Sequence, residues 1–213
     1  PRAGKPVEVQ ALWYNALRLA GGAHAAVADR VALAFRARFV RDDGLGLHDV
    51  VDVDHVRGTA DPSIRPNQVF AAGGLPFPLV AGDAARAVVA IVERELLTPA
   101  GLRTLAPGDP RYCGRYAGNG AQRDAAYHQG TAWPWLMGAF VDAWLRVHGD
   151  DAAARSRARD AFVAPLLAAL TTRGVGHLSE IADGDAPHAG RGCPFQAWSL
   201  GELIRALQAT APR

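Results

Sequence analysis

Three carboxylates lie close together late in the sequence. Glu180, Asp183 and Asp185 fall within six residues of one another, in a segment rich in Gly and polar residues. Such a loop leaves carboxylates open to water, and a carboxylate in contact with water can act as a general base. The spacing alone fits a second interpretation equally well. In that case the two aspartates stabilise a turn, and Glu180 caps a helix or pairs with Arg191.

The same segment also contains side chains of the kinds that bind metal ions. These are His177, Asp183, Asp185 and His188, but their spacing matches no standard zinc or calcium loop. The sequence also lacks the glycine patterns GxGxxG and GxxxxGK[ST], which cradle nucleotide phosphates. We therefore expect neither a metal ion nor a cofactor.

A second polar segment precedes a helix in the middle of the chain. His128 and Gln129 are followed closely by Trp133 and Trp135. Sugars suit such a setting, because their C–H faces stack on flat aromatic rings while imidazole and amide groups bond their hydroxyls. The alternative is that both indoles belong to the core. Trp135 continues an apolar stripe and fits the core better, whereas Trp133 fits a sugar site better.

Two further segments carry polar groups at unusual positions. Arg65, Asn67 and Gln68 follow a long loop at the start of a helix and are expected to face the same end of the scaffold. Trp13 and Asn15 lie within a helix, where Asn is a poor helix former. A buried hydrogen bond is the ordinary explanation for such an Asn, and neither segment identifies a function alone.

The elements that must position these groups are mainly helices. Apolar residues recur at helical spacing over 7–20, 23–41, 67–72, 84–97, 135–147, 152–171 and 194–209. Asp83 is the expected N-cap of the fourth of these, and Pro165 predicts a kink or break in the sixth. Long irregular segments over 44–64, 99–130 and 173–192 separate the helices and contain most of the unusual residues. The pattern predicts an all-α protein with its site at one end.

Composition excludes several classes of partner. The 23 Lys and Arg nearly balance the 21 Asp and Glu, and no run of five like charges favours nucleic acid. Apolar stretches are interrupted well before the roughly 20 residues that a membrane span needs. The only two thiols, Cys113 and Cys193, are too few for a disulfide framework. We expect a protein of the cytoplasm that binds neither nucleic acid nor membrane.

Six motifs, taken in order, give a resemblance to a known family. They read GKPVEVQALWYNAL, DPSIRPNQVFA, LLTPAGLRTL, AAYHQGTAWPW, LSEIADGD and RGCPFQAWS, and they cover residues 4 to about 207. In order and phrasing the chain resembles the C-terminal glucosidase domain of bacterial and archaeal glycogen debranching enzymes.

The resemblance implies a fold and a reaction. The fold is an (α/α)6 barrel, a toroid of six helical hairpins. Residues 1–213 would form roughly its second half, with the upstream barrel helices and any N-terminal domain outside this chain. The implied reaction is amylo-α-1,6-glucosidase chemistry, in which an inverting mechanism releases glucose from branch stubs of glycogen or limit dextrin.

The resemblance also assigns roles to individual residues. Glu180 matches the general base, and the general acid is expected upstream of Pro1. The expected substrate-binding residues are Trp13, Asn15, Arg65, Asn67, Gln68, His128, Gln129, Trp133 and Asp183. Because half a barrel exposes apolar helix faces, we expect either self-association or pairing with the missing half.

Three alternatives to this function remain open. One is another helical-barrel glucosidase of trehalase or glucoamylase type, and another is a sugar epimerase. The third, for this chain alone, is a carbohydrate-binding piece without catalysis.

Overall fold

The computed structural model describes residues 2–172 and 174–212, most of which lie in helices. The α-helices are α1 Val7–Ala20, α2 Ala25–Phe39, α3 Val69–Ala72, α4 Gly82–Leu96, α5 Gly120–Ala126, α6 Leu136–His148, α7 Ala152–Ala158, α8 Ala164–Thr172 and α9 Ala197–Ala209. Short 3-10 turns cover Gly22–His24, Val53–His55 and Pro66–Gln68. The predicted helical domain is confirmed.

Helix α6 lies at the centre of the core. It is buried on nearly every side, with Leu136, Met137, Phe140 and Trp144 among its buried residues, as expected for a helix that is apolar all round. Helices α4 and α9 pack against it, and α3 joins it to α1. Helices α1 and α2 form a hairpin through the turn at Gly22–His24.

The predicted break near Pro165 is confirmed and has a specific form. Helix α7 ends at Ala158, and a π-helical turn over Arg159–Val163 leads into α8. A proline ring cannot donate a backbone hydrogen bond and collides with the carbonyl four residues earlier. The wider π turn ahead of Pro165 accommodates that collision without ending the helical path.

Two small antiparallel sheets hold the loops at one end of the helices. The first joins β1 Lys5–Pro6, β2 Val50–Val51 and β3 Ala60–Asp61 in that order. The second joins β4 Leu97–Thr98, β5 Gly101–Arg103, β6 Ala132–Trp133, β7 Ile181–Ala182 and β8 Gly190–Arg191.

The pairing of the second sheet determines which loops become neighbours. Leu102 pairs with Trp133, Ala132 with Ala182, and Ile181 with Arg191. This sheet brings the segment around residue 130 against the segment around residue 180. The sequence pattern predicted irregular segments here, and this sheet was not predicted.

Two local details differ from the sequence-based expectations. The N-cap of α4 is Ala81, so Asp83 lies within the first turn and is not the cap. The irregular segment 99–130 contains α5, which begins with a capping box in which Asn119 and Gln122 bond each other's backbone N–H groups. Local hydrogen bonds of the cap, and not apolar periodicity, start this helix.

The outer face of α1 is apolar and exposed. Val9, Leu12, Trp13 and Leu19 each show roughly half or more of their surface to solvent. Exposed apolar residues in a group commonly mark a surface that another element covers. Within the described residues, no helix is long and apolar enough to cross a membrane.

Candidate active site

The side chain of Glu180 is partly buried, and the fold orients it through neutral donors. The hydroxyl of Tyr127 donates to its Oε1 at 2.6 Å, and the backbone N–H of Cys193 donates to its Oε2 at 3.1 Å. The N–H of Glu180 in turn donates to the carbonyl of Cys193 at 2.8 Å. A carboxylate offers about four acceptor sites, so this one can still accept a bond from water.

Two neighbours restrict the position of this carboxylate further. Burial and the bond to Glu180 both raise the pKa of Tyr127 above its usual value, so its hydroxyl stays a donor at neutral pH. Gly192 has a φ of 66°, and a Cβ at this position would collide with Oε2 of Glu180. Only glycine fits there without displacing the carboxylate.

The two aspartates of the same loop have different surroundings. Asp183 is buried and forms an ion pair with Arg191 at 2.9 Å, while the N–H of Tyr116 donates to it at 2.9 Å. Asp185 accepts a bond of 2.9 Å from the hydroxyl of Tyr112. Both aspartates therefore tie the loop to its neighbours. Arg191, the alternative partner of Glu180, is bound to Asp183.

A cleft of about 850 Å³ is lined by residues of other segments, and Glu180 is not among them. Five of the predicted substrate-binding residues line it, namely Arg65, Asn67, His128, Gln129 and Trp133. The other side chains around it include three further carboxylates, two further arginines and two further indoles, which belong to Glu8, Asp61, Asp124, Arg2, Arg111, Trp135 and Trp198. The cleft combines flat apolar walls with directional polar groups, as sugar sites do.

The Glu180 carboxylate connects to this cleft through aromatic rings. The ring of Tyr127 packs edge-on against Trp133, with 5.0 Å between ring centroids. The ring of His128 stacks on Trp133 at 5.2 Å. Trp133 itself is buried, and its indole N–H donates to the Thr131 hydroxyl at 3.1 Å. Trp133 thus links Tyr127, the hydrogen-bond partner of Glu180, to the cleft.

A buried arginine fixes the polar side of the cleft. Arg65 donates to the carbonyls of Thr104 at 3.0 Å and His128 at 2.8 Å, and to Oε1 of Gln129 at 2.6 Å. Its Nε lies 3.6 Å from Oδ2 of the buried Asp49. Burial lowers the pKa of Arg65, and the charge of Asp49 opposes that shift. These bonds hold His128 and Gln129 in fixed positions.

Arg2 extends the same network to the first helix. It bonds Asp49 through Nε at 2.6 Å and both oxygens of Glu8 at 2.5 and 2.9 Å. Burial raises the pKa of Asp49, and the two arginines oppose that shift. The cleft therefore has a polar floor made of side chains that constrain one another.

Four of the predicted substrate-binding residues do not line the cleft. Trp13 lies on the exposed face of α1, and Asp183 is held in its ion pair. The amide of Asn15 bonds the backbone of Phe77 in both directions at 2.9 Å, which matches the ordinary explanation for an Asn within a helix. Gln68 bonds the N–H of Leu47 and the carbonyl of Arg65. Their roles in binding substrate stay predictions.

Three residues that were not predicted from the sequence contact the candidate site. Tyr127 binds the proposed base, Glu8 lies at the end of the polar floor, and Trp198 stands at the cleft wall. All three lie inside the motifs quoted above, and Tyr127 directly precedes His128. Their importance depends on contacts with distant segments, which spacing along the chain does not show.

Comparisons with known proteins agree with the motifs. The chain is 30% identical over 163 residues to the glycogen debranching enzyme of Saccharomyces cerevisiae, a match that covers 68% of this chain. It spans about 10% of the length of that relative. Residues 1–205 match the sequence family described as amylo-alpha-1,6-glucosidase. The chain therefore belongs to the amylo-α-1,6-glucosidase family.

Proposed function

We propose that this chain supplies the base and part of the sugar site of a glycoside hydrolase that releases glucose from α-1,6 branch stubs of glycogen or limit dextrin. The observation that carries the proposal is the setting of Glu180. Its carboxylate is oriented by Tyr127 and Cys193, remains partly open, and is linked through Tyr127 to Trp133, which lines a polar cleft. Family membership supports the same reaction.

In the proposed reaction Glu180 takes a proton from water as the water oxygen attacks C1 of the branch glucose. The bond from C1 to O6 of the main chain breaks, and O6 takes a proton from a general acid. The products are free glucose of inverted configuration and a main chain that carries a free 6-hydroxyl in place of the branch. Inversion requires two carboxyl groups roughly 6.5 to 9.5 Å apart, with water between base and sugar. The acid is proposed to come from the region upstream of Pro1.

The cleft residues are proposed to bind the sugar hydroxyls. Partial burial, followed by the charge of Arg65, lowers the pKa of His128. Its ring is then neutral at neutral pH, so one nitrogen donates and the other accepts. The amides of Asn67 and Gln129 add donors and acceptors beside it. No metal or cofactor takes part in this mechanism.

We also propose that the helices belong to a larger barrel. The α1 and α2 hairpin and the exposed apolar face of α1 are consistent with part of an (α/α)6 barrel whose remaining helices cover that face. We also propose that residues 1–213 belong to a single glucosidase domain and that they pair with the other half of the barrel. The free, exposed thiols of Cys113 and Cys193 suit a reducing cytoplasm.

The test is glucose release by the full-length protein from phosphorylase-limit dextrin, followed by proton NMR of the product. We expect β-glucose to appear first and the α anomer to grow in by mutarotation. Initial α-glucose would refute inversion. Binding of dextrin without glucose release would refute hydrolysis and favour a carbohydrate-binding role. Faster turnover of trehalose or unbranched maltooligosaccharides would favour the trehalase-like or glucoamylase-like alternative.

A further inference from the structure

Three aromatic rings form a continuous stack that runs from the core to the cleft. Phe70 of α3 stacks on Trp135 with 5.8 Å between centroids, and Trp135 stacks on Trp198 with 5.2 Å and an interplanar angle of 18°. Trp198 also meets Trp133 edge-on at 5.9 Å. The stack ends at Trp198, whose inner face is covered by Trp135.

The position of Trp198 is fixed although its ring is open. It is the second residue of α9, which is anchored on α6 through the buried residues Leu203 and Ala206. Even so, 47% of the Trp198 surface is exposed. A large aromatic ring is normally covered more fully, so an indole held rigidly at a cleft wall has the features of a binding platform.

Ring contacts connect Trp198 to the proposed base. Glu180 is bonded to Tyr127, Tyr127 packs on Trp133, and Trp133 meets Trp198 edge-on. Trp198 lines the cleft, whereas Glu180 does not, so a sugar unit stacked on Trp198 lies in the cleft and not directly on the carboxylate.

We propose that Trp198 is a stacking platform for a glucosyl unit of the main α-glucan chain, on the leaving-group side of the scissile bond. This inference rests on the proposed function and concerns its specificity. The flat indole stacks against the C–H face of a pyranose ring, which favours a polymer over a small glucoside. The platform positions the substrate and takes no part in proton transfer.

The experiment compares two substrates in the full-length protein. One is a maltooligosaccharide carrying an α-1,6 glucosyl stub, and the other is α-glucosyl fluoride, which lacks the main chain. We expect Trp198→Ala to lower kcat/KM about tenfold more for the branched substrate than for the fluoride, mainly through KM. Trp198→Phe should restore part of the difference. Equal losses on both substrates would overturn the inference.

A matched control lies on the same helix. Ile204 is 49% exposed and does not line the cleft, so Ile204→Ala should leave both rates unchanged. Thermal unfolding of all variants identifies any that fail to fold, and Trp198→Phe then serves as the test variant.

A binding measurement separates this inference from the proposed function. We expect calorimetry with unbranched maltohexaose to show about tenfold weaker binding in Trp198→Ala than in the wild type and in Ile204→Ala. This result stands even if the wild type releases no glucose, in which case only the proposed hydrolysis fails. Unchanged affinity in Trp198→Ala would overturn the platform whatever the activity.

Discussion

Glu180 and Asp183 stand at the two ends of strand β7, three residues apart, and meet opposite surroundings. Glu180 is partly open and bonds the neutral donors Tyr127 and Cys193, whereas Asp183 is buried and paired with Arg191. Residues at odd separations in a strand point to opposite faces, so a single short strand directs the two carboxylates apart. Both arise from one acidic cluster in the sequence.

The difference suggests how one loop can contain a reactive carboxylate and a structural one. A buried carboxylate bound to a guanidinium has its acceptor sites occupied and is shielded from substrate. Within residues 2–172 and 174–212, no Lys or Arg forms an ion pair with Glu180. We therefore expect substitutions at the two positions to act on different properties of the protein.

The largest expected effect is on catalysis, at Glu180. Glu180→Gln keeps the shape of the side chain and the bond from Cys193 but removes the proton acceptor. We expect kcat for glucose release from limit dextrin to fall about 10³-fold with little change in dextrin affinity. Wild-type turnover in this variant would remove Glu180 from the mechanism.

Asp183 should affect stability before it affects catalysis. Asp183→Asn leaves Arg191 without its carboxylate partner, and because Arg191 is 41% exposed we expect a loss of about 2 kcal/mol in the free energy of unfolding. Urea denaturation measures that loss. The additional substitution Arg191→Met should restore part of the lost stability. An Asp183→Asn variant that is stable but inactive would contradict the structural role of Asp183.

Tyr127 tests whether the neutral donor orients the base. Tyr127→Phe removes one hydrogen bond to Glu180 and keeps the ring packed on Trp133. We expect kcat to fall about tenfold while KM changes little. Tyr116→Phe is the matched control, since that ring lies 5.7 Å from Tyr127 and no hydroxyl bond from it to Glu180 occurs. Equal losses in both variants would point to packing.

The smallest expected effect is a change in tyrosine ionisation. Burial first, and the bond to Glu180 second, raise the pKa of Tyr127, so this residue should ionise after an ordinary tyrosine with a pKa of about 10. Glu180→Gln removes the second cause and leaves the first. Absorbance at 295 nm should therefore show one tyrosine that titrates at lower pH than in the wild type but still at higher pH than an ordinary tyrosine. An unchanged titration would mean that the two side chains do not interact in solution.

Long, periodic elements could be predicted from the sequence. The interval predicted for α1 matches the structure, α6 shifts by one residue, and Pro165 marks the break between α7 and α8. The second sheet could not be predicted, because a strand of two or three residues has no detectable period. Helix α5 was missed because its sequence is polar and its start depends on the Asn119 cap.

The candidate site could be predicted only in part, because the sequence does not show which partners a polar side chain meets. Arg65, Asn67, His128 and Gln129 reach one cleft, as their places at helix starts and loop ends suggested. Asn15 and Gln68 look equally polar in sequence, yet their amides bond the backbone of Phe77 and Leu47. Those partners come from distant segments, so only the folded chain distinguishes an amide that faces the cleft from one that holds the fold.

The pairing of β6 with β7 also has a consequence for how the protein folds. It joins segments about fifty residues apart, so their pairing must overcome a larger loss of chain entropy than the local contacts of the α1 and α2 hairpin. Local helices form in microseconds, and long-range strand pairs form later. We expect helical signal to recover in refolding before the wall at Trp133 and the carboxylate of Glu180 come together. Recovery of the helical signal would then not show that the active site has formed.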